Sequence, residues 1–210
     1  MEIIYDPAAI EKRSFEIIEE LLGDSFRPGP ERDVIARVVH ATADPDFAAA
    51  VAFSDGAVEA GIKALVAGCA VITDVKMLKA GVTPHRPGSP GEVICNISDP
   101  DVVESAGKTG TTRATAAVRK AAGSGAVNGA IVAVGNAPTA LYEIIRLVRE
   151  EHVRPALIIG VPVGFVGAAE SKEELTTVHE VPWITCRGRK GGSPVGAAII
   201  NALVKLANAR

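Results

Sequence analysis

The chain has 210 residues, enough for one compact domain with a sizeable core. With 48% hydrophobic, 22% charged and only 4% aromatic residues, it is not a disordered chain, and its abundant Ala, Val, Ile and Gly favour a helix-covered parallel sheet over a sandwich or barrel. A net charge of −3 and a pI near 5.8 exclude a general nucleic-acid surface, although local cations and backbone N–H groups still suit a small anion.

Asp6 and Pro7 form a helix start, a capping side chain followed by proline in the first turn. Ile10, Ser14, Ile17, Ile18 and Leu21 then share one face, with Ser14 its polar member, and Gly23 closes the helix. Pro28-Gly29-Pro30 is a stiff break. A second helix spans 31–41, where Val34, Ile35 and Val38 give the apolar side and Arg37 and His40 project together. Asp44-Pro45 starts a third helix, and Ser54 caps a fourth that runs to Gly68.

From residue 69 the pattern changes to short apolar runs at 69–73, 93–97, 130–134, 156–159 and 183–186. They are continuous, as strands buried on both faces should be. Helical segments at 111–122, 137–151, 168–177 and 193–208 separate most of them. The expected fold is α/β: a three-layer α/β/α sandwich with a mostly parallel sheet of about five strands and extra N-terminal helices. The expected organisation is a single domain over 1–210, helical over 1–67 and βα-repeating over 68–210.

Cys69, Cys95 and Cys186 each fall in a predicted strand, are odd in number and lack metal-ligand spacing, so they read as reduced core thiols. The N-terminus has no basic start before an apolar core, and no apolar run reaches the roughly 18 residues of a membrane span. A soluble, cytoplasmic protein is the expectation.

In open α/β sheets, ligands bind beyond the carboxyl ends of the strands. There the sequence carries Asp74 and Lys76, the run Gly135-Asn136-Ala137-Pro138-Thr139, the glycine-rich 160–167, and Arg187-Gly188-Arg189-Lys190-Gly191-Gly192-Ser193. Glycines let the backbone approach a ligand, and the helix after each loop aims free N–H groups at the same edge. Arg187, Arg189 and Lys190 add charge beside one such helix start, and Lys108 and Arg113 flank another. The rim suits a ligand with several carboxylates or phosphates. Asp74 is either a ligand contact or the cap of the following helix, and Arg189 and Lys190 are either contacts or a solvated cationic end.

No phosphate-binding loop, dinucleotide fingerprint, nucleophile elbow or metal cluster is present in the sequence. Of the four histidines, His152 follows two glutamates at a helix end and reads as structural, and His179 lies in a charged connection. His85, in the 84–91 loop, is a candidate ligand contact. His40 is either a satisfied helical histidine or a catalytic one.

Several strings resemble the precorrin-8X / cobalt-precorrin-8 methylmutase family of corrin biosynthesis. They are Arg37-Val38-Val39-His40-Ala41, Thr73-Asp74-Val75-Lys76-Met77, Gly81-Val82, Glu92-Val93-Ile94-Cys95 with Asp99-Pro100, Thr112-Arg113, Gly135-Asn136-Ala137-Pro138-Thr139-Ala140-Leu141, Pro162–Lys172 and Arg187–Ser193. Glu11-Lys12-Arg13-Ser14-Phe15 is similar to the family's Glu-Arg-Ser run with Lys12 inserted. The likeness runs from the first helix to the last.

The resemblance implies an isomerase that moves a methyl group from C11 to C12 of a tetrapyrrole. It implies no organic cofactor and a site at the interface of a homodimer. It places the catalytic histidine, as proton donor and acceptor, on His40, and substrate contacts on Ser14 and Arg37. Asp74, Arg113, Asn136 and Arg187 are further expected contacts to the ring or its carboxylates. Two other readings stand beside it: a non-catalytic corrinoid-binding or carrier protein, and an unrelated α/β enzyme of a phosphorylated metabolite.

Overall fold

A computed structural model describes residues 3–23, 29–83 and 91–209. Its elements run α1 (Pro7–Leu22), α2 (Pro30–Thr42), α3 (Phe47–Ala50), β1 (Val51–Phe53), α4 (Ala57–Val66), β2 (Val71–Thr73), α5 (Lys76–Gly81), β3 (Val93–Ile94), α6 (Pro100–Thr109), α7 (Arg113–Gly123), β4 (Ile131–Val134), α8 (Pro138–Glu150), β5 (Leu157–Gly160), α9 (Ala168–Leu175), β6 (Trp183–Cys186) and α10 (Ser193–Asn208).

The described strands form one six-stranded sheet in the order β1-β6-β5-β4-β2-β3, parallel throughout except where β1 pairs antiparallel with β6. The mostly parallel α/β class is as expected, with one more strand than the sequence predicts. That strand, β1, lies inside the stretch expected to be purely helical and closes the sheet edge beside β6.

Strand side chains alternate between two layers, as the period of two requires. Ile131, Ala133, Leu157, Ile159 and Ile184 enter one core with α2, α4, α5 and α10. Val132, Val134 and Ile158 enter the other with α7, α8 and α9. Helix α10 is apolar nearly all round and buried, because it lies between the sheet and the N-terminal helices.

Local chemistry explains most helix ends. The Asp6 carboxylate accepts from the Ala9 N–H at 2.8 Å, and Gly23, at φ 58°, ends α1. Ser54 does not cap α4, whose cap position is Gly56; its hydroxyl instead accepts from the Trp183 N–H at 2.8 Å, tying β1 to β6. Asp44 starts a turn rather than a helix, accepting from the Asp46 N–H at 3.0 Å, and α3 begins three residues later. The thiols of Cys69, Cys95 and Cys186 are all free, but only Cys186 lies within a strand.

Candidate functional site at the carboxyl edge and the N-terminal helix pair

Strand order reverses between β2 and β4, since β2 leads outward to β3 and the chain then returns to β4 on the other side. A crevice is expected at such a point. There Asp74 follows β2 and is 2% exposed. Its Oδ1 accepts from the Gly135 N–H at 3.0 Å, and its Oδ2 accepts from the Asn136 and Ala137 N–H groups, both at 2.8 Å. Burial pushes its pKa up, against the pull of these donors. Asp74 therefore neither caps the following helix nor offers a face to a ligand. It pins the β4–α8 loop and presents Asn136, which is exposed at the rim.

The next rim segment is the paired start of α7 and α8. The Thr112 hydroxyl caps α7 by accepting from the Thr115 N–H at 3.1 Å and shares a hydrogen bond with the Thr139 hydroxyl at 2.8 Å. Arg113 is exposed at the first position of α7. Lys108 is not at a helix start: it lies in the last turn of α6 and pairs with Glu104 at 2.5 Å.

Beyond β6, the exposed Arg187 donates its backbone N–H to the Ala50 carbonyl at 2.8 Å. The Arg189 guanidinium lies 5.8 Å from the Phe165 ring centre. Lys190 is an exposed cation with fixed partners: its Nζ pairs with Asp44 at 2.6 Å and Asp46 at 2.8 Å, and these hold its pKa above the usual value. Phe165 and Val166 stand 85% and 89% exposed on the neighbouring loop, an apolar tip on an otherwise polar rim.

Arg37 and His40 form a second group, gathered around Phe15, which follows Ser14 on α1. The His40 and Phe15 rings stack with centroids 5.0 Å apart and planes 15° from parallel. The Arg37 guanidinium lies 4.7 Å from the same ring centre and donates to Glu11 Oε1 at 2.9 Å, and Lys205 Nζ lies 5.6 Å from the ring. That hydrogen bond, with the charge of Arg37, holds the Glu11 carboxyl below its usual pKa. The Ser14 hydroxyl is not left without a partner, since it donates to the Ile10 carbonyl at 2.9 Å; its lone pairs remain available as acceptors. A cavity of about 240 Å³ lies against Phe15, lined also by Asp33, Ala36, Arg37, Ala202 and Lys205 among others.

The structure thus brings Arg37 and His40 together at the ring of Phe15, the residue after Ser14, and separately Asp74 and Asn136. No hydrogen bond or ion pair among the described residues joins His40 to Asp74, Arg113 or Asn136. The link between the two regions is Lys190, whose partner Asp44 lies four residues beyond His40. The sequence gives Phe15 no role of its own, and it offers Lys190 as a ligand contact or a solvated cation without its partners Asp44 and Asp46. The signal for Phe15 was its place beside Ser14 in a chain with only five Phe residues. His152, at φ 55°, and His179 are exposed away from both regions, and His85 lies outside the described residues.

Comparison with known proteins follows this geometry. A family model described as precorrin-8X methylmutase matches residues 9–206. A cobalt-precorrin-8 methylmutase of Methanocaldococcus jannaschii is 48% identical over 192 residues, covering 90% of this chain and 87% of that protein. One of Priestia megaterium is 46% identical over 203 residues, covering 96% and 89%. A crystal structure of precorrin-8x methyl mutase from Thermus thermophilus is similar at a TM-score of 0.87 and 43% identity, covering 95% of this chain and 96% of that one.

Proposed function

Because the chain belongs to the precorrin-8X methylmutase family, whose members isomerise a tetrapyrrole in cobalamin biosynthesis, we propose that it moves a methyl group from C11 to C12 of (cobalt-)precorrin-8, with His40 as proton donor and acceptor. The observation that carries the role of His40 is its stack on Phe15, one helical turn from Arg37.

A 1,5-methyl shift around a conjugated ring needs no nucleophile. It needs a proton delivered to polarise the π-system and then withdrawn. Imidazole gives and takes a proton near neutral pH, and a positioned acid–base group is worth about 10²–10⁴ in rate. Phe15 holds the ring plane, which sets the direction of the N–H. Arg37 binds a substrate carboxylate, with Glu11 balancing its charge when the site is empty. Ser14 accepts from the substrate through its remaining lone pairs. Arg113, Asn136 and Arg187 contact the peripheral carboxylates along the rim, and Asp74 serves by holding the loop of Asn136.

The rim and the α1–α2 pair are completed in this reading by a second copy of the chain. Ile10, Ile17 and Leu21 are 45%, 42% and 59% exposed on α1, next to exposed Ile3, Ile4 and Tyr5. So much apolar surface on the helix that carries Phe15 suits a homodimer contact that encloses a wide, flat ligand. The free thiols of all three cysteines agree with a cytoplasmic enzyme.

The test is to supply the methylated precorrin and follow its absorption spectrum. The expected result is conversion to the corrin-type product by the wild type and loss of turnover, with product binding retained, in His40→Ala. Undiminished turnover in that variant refutes the role of His40. Tight product binding without any wild-type turnover points to a corrinoid carrier instead.

A further inference from the structure

We propose that Lys172 is a positioning residue for this reaction: its ammonium fastens the rim loop 187–192 at the Lys190 carbonyl, and the Lys190 side chain fastens that loop to the end of the His40 helix. The proposal rests on the methylmutase reading for its kinetic consequences, and on geometry alone for the clasp.

Lys172 belongs to α9 and is 1% exposed. A buried ammonium is costly unless paired, and the usual partner is a carboxylate. Here Nζ donates to the Lys190 carbonyl at 2.6 Å and lies 3.8 Å from Cys186 Sγ, and no carboxylate bonds it among the described residues. Burial holds its pKa below the usual lysine value, and pushes that of the Cys186 thiol up. The thiol, kept protonated, donates to the same Lys190 carbonyl at 3.1 Å. Two buried donors therefore converge on one backbone oxygen just past the end of β6.

The same residue is held from the other side. Lys190 Nζ reaches out to Asp44 and Asp46, which directly follow α2 and its His40. The loop between is seated without slack. The Gly192 N–H donates to the Val161 carbonyl at 2.8 Å, and the Gly164 N–H donates to the Arg189 carbonyl at 3.2 Å. Gly191 is at φ 157°, where a Cβ would lie 2.8 Å from the Pro162 carbonyl oxygen. Arg187 opens this loop, its backbone N–H held by the Ala50 carbonyl on one side and the chain after it held at residue 190 by Lys172 on the other.

The loop lends little to the core. Residues 187–190 are exposed, while α9 and β6 are anchored by Ala168, Leu175, Trp183 and Ile184. A core lysine kept only for packing is replaceable by methionine, which fills a similar volume without a donor. A lysine kept for the clasp is not.

The experiment compares Lys172→Met, Lys190→Met, the double variant and Lys190→Arg. Turnover is followed by absorption, product binding by titration with the corrin product, and loop order by amide exchange at 187–192. Each single methionine variant is expected to speed exchange in that loop and raise KM about tenfold, with kcat less affected, since a substrate-holding group is loosened. The double variant is expected to be no worse than the worse single, because both cut one connection. Lys190→Arg, which keeps a cation for Asp44 and Asp46, is expected to restore KM. Unchanged KM in Lys190→Met, or effects that multiply in the double variant, overturns the proposal. If Lys172→Met does not fold, the surface Lys190 variants decide it. A wild type without turnover defeats the functional reading instead, and unaltered loop exchange in Lys190→Met then still defeats the clasp.

Discussion

The imidazole of His40 lies almost parallel to the ring of Phe15, with 5.0 Å between the ring centres and a 15° angle between the planes. Two helices that are not consecutive turns of one another thereby fix a single titratable ring. Arg37 shares the same aromatic neighbour at 4.7 Å, so two side chains one turn apart on α2 rest on one phenyl group of α1.

Phe15→Leu is therefore expected to lower kcat about tenfold while costing under about 1.5 kcal/mol of stability, as a hydrophobic exchange of modest volume change at a half-buried position. Steady-state kinetics and a thermal melt, read together, check this. Wild-type kcat in a folded Phe15→Leu protein removes the stack from the mechanism.

The parallel strands β4, β5 and β6 are legible in sequence because each is a short apolar run buried on both faces. Strand β1 is not. Its three residues continue the apolar stretch begun by Phe47–Ala50, and only pairing with β6, more than 130 residues on, makes a strand of them. The exposed half of the α1 stripe misleads in the opposite way. Its spacing predicts one buried face, yet Ile18 and Leu22 enter the core while Ile10, Ile17 and Leu21 face outward. Among site residues, the grouping of Arg37 with His40 follows from helical periodicity. The partners of Asp74 do not, since they lie 61 to 63 residues away and are backbone N–H groups that any sequence would supply. Burial of Lys172 was hidden for the same reason, because its acceptor is a main-chain carbonyl.

Asp74→Asn places an amide N–H₂ where three backbone N–H groups need an acceptor. At least one buried donor loses its partner, at a cost of about 1–3 kcal/mol. The β4–α8 loop is the element released, so the expected signature is a rise in KM through misplaced Asn136 together with a lower melting temperature. Denaturant unfolding and KM measurement check both. Full stability with unaltered KM shows that the loop holds itself.

Glu143 gives a pH-dependent contribution whose sign is fixed by its pKa direction. Burial pushes this carboxyl up, but the guanidinium groups of Arg119, at 3.0 and 3.1 Å, and of Arg146, at 2.6 Å, more than reverse it and leave it below the ordinary value. A carboxyl with a folded pKa below its unfolded one contributes stability that is present above the unfolded pKa, and that is lost as pH falls through the folded pKa. The exposed guanidinium partners are screened by solvent, so Glu143→Gln is expected to cost about 1 kcal/mol near neutral pH. The difference between variant and wild type should shrink on acidification below the ordinary Glu range. Unfolding curves at several pH values test it, and a difference that stays constant down to strongly acid pH rules out the ionic origin.

The outward face of α1 makes the most direct claim about assembly. Ile10, Ile17 and Leu21 recur at spacings of seven and four, so they form one continuous stripe along the helix, turned away from the face on which Ile18, Leu22 and Phe15 pack. If a second copy covers that stripe, Ile17→Glu buries an unpaired carboxylate in the contact, which costs several kcal/mol on association but almost nothing in the isolated chain, where residue 17 is already 42% exposed. Light scattering after gel filtration is expected to show a dimeric wild type and a folded, monomeric Ile17→Glu with turnover reduced at least tenfold. Because the fold of each chain is untouched, that pairing of results separates an assembly role from a stability role. A dimer that persists in the variant with unchanged turnover places the contact on another surface.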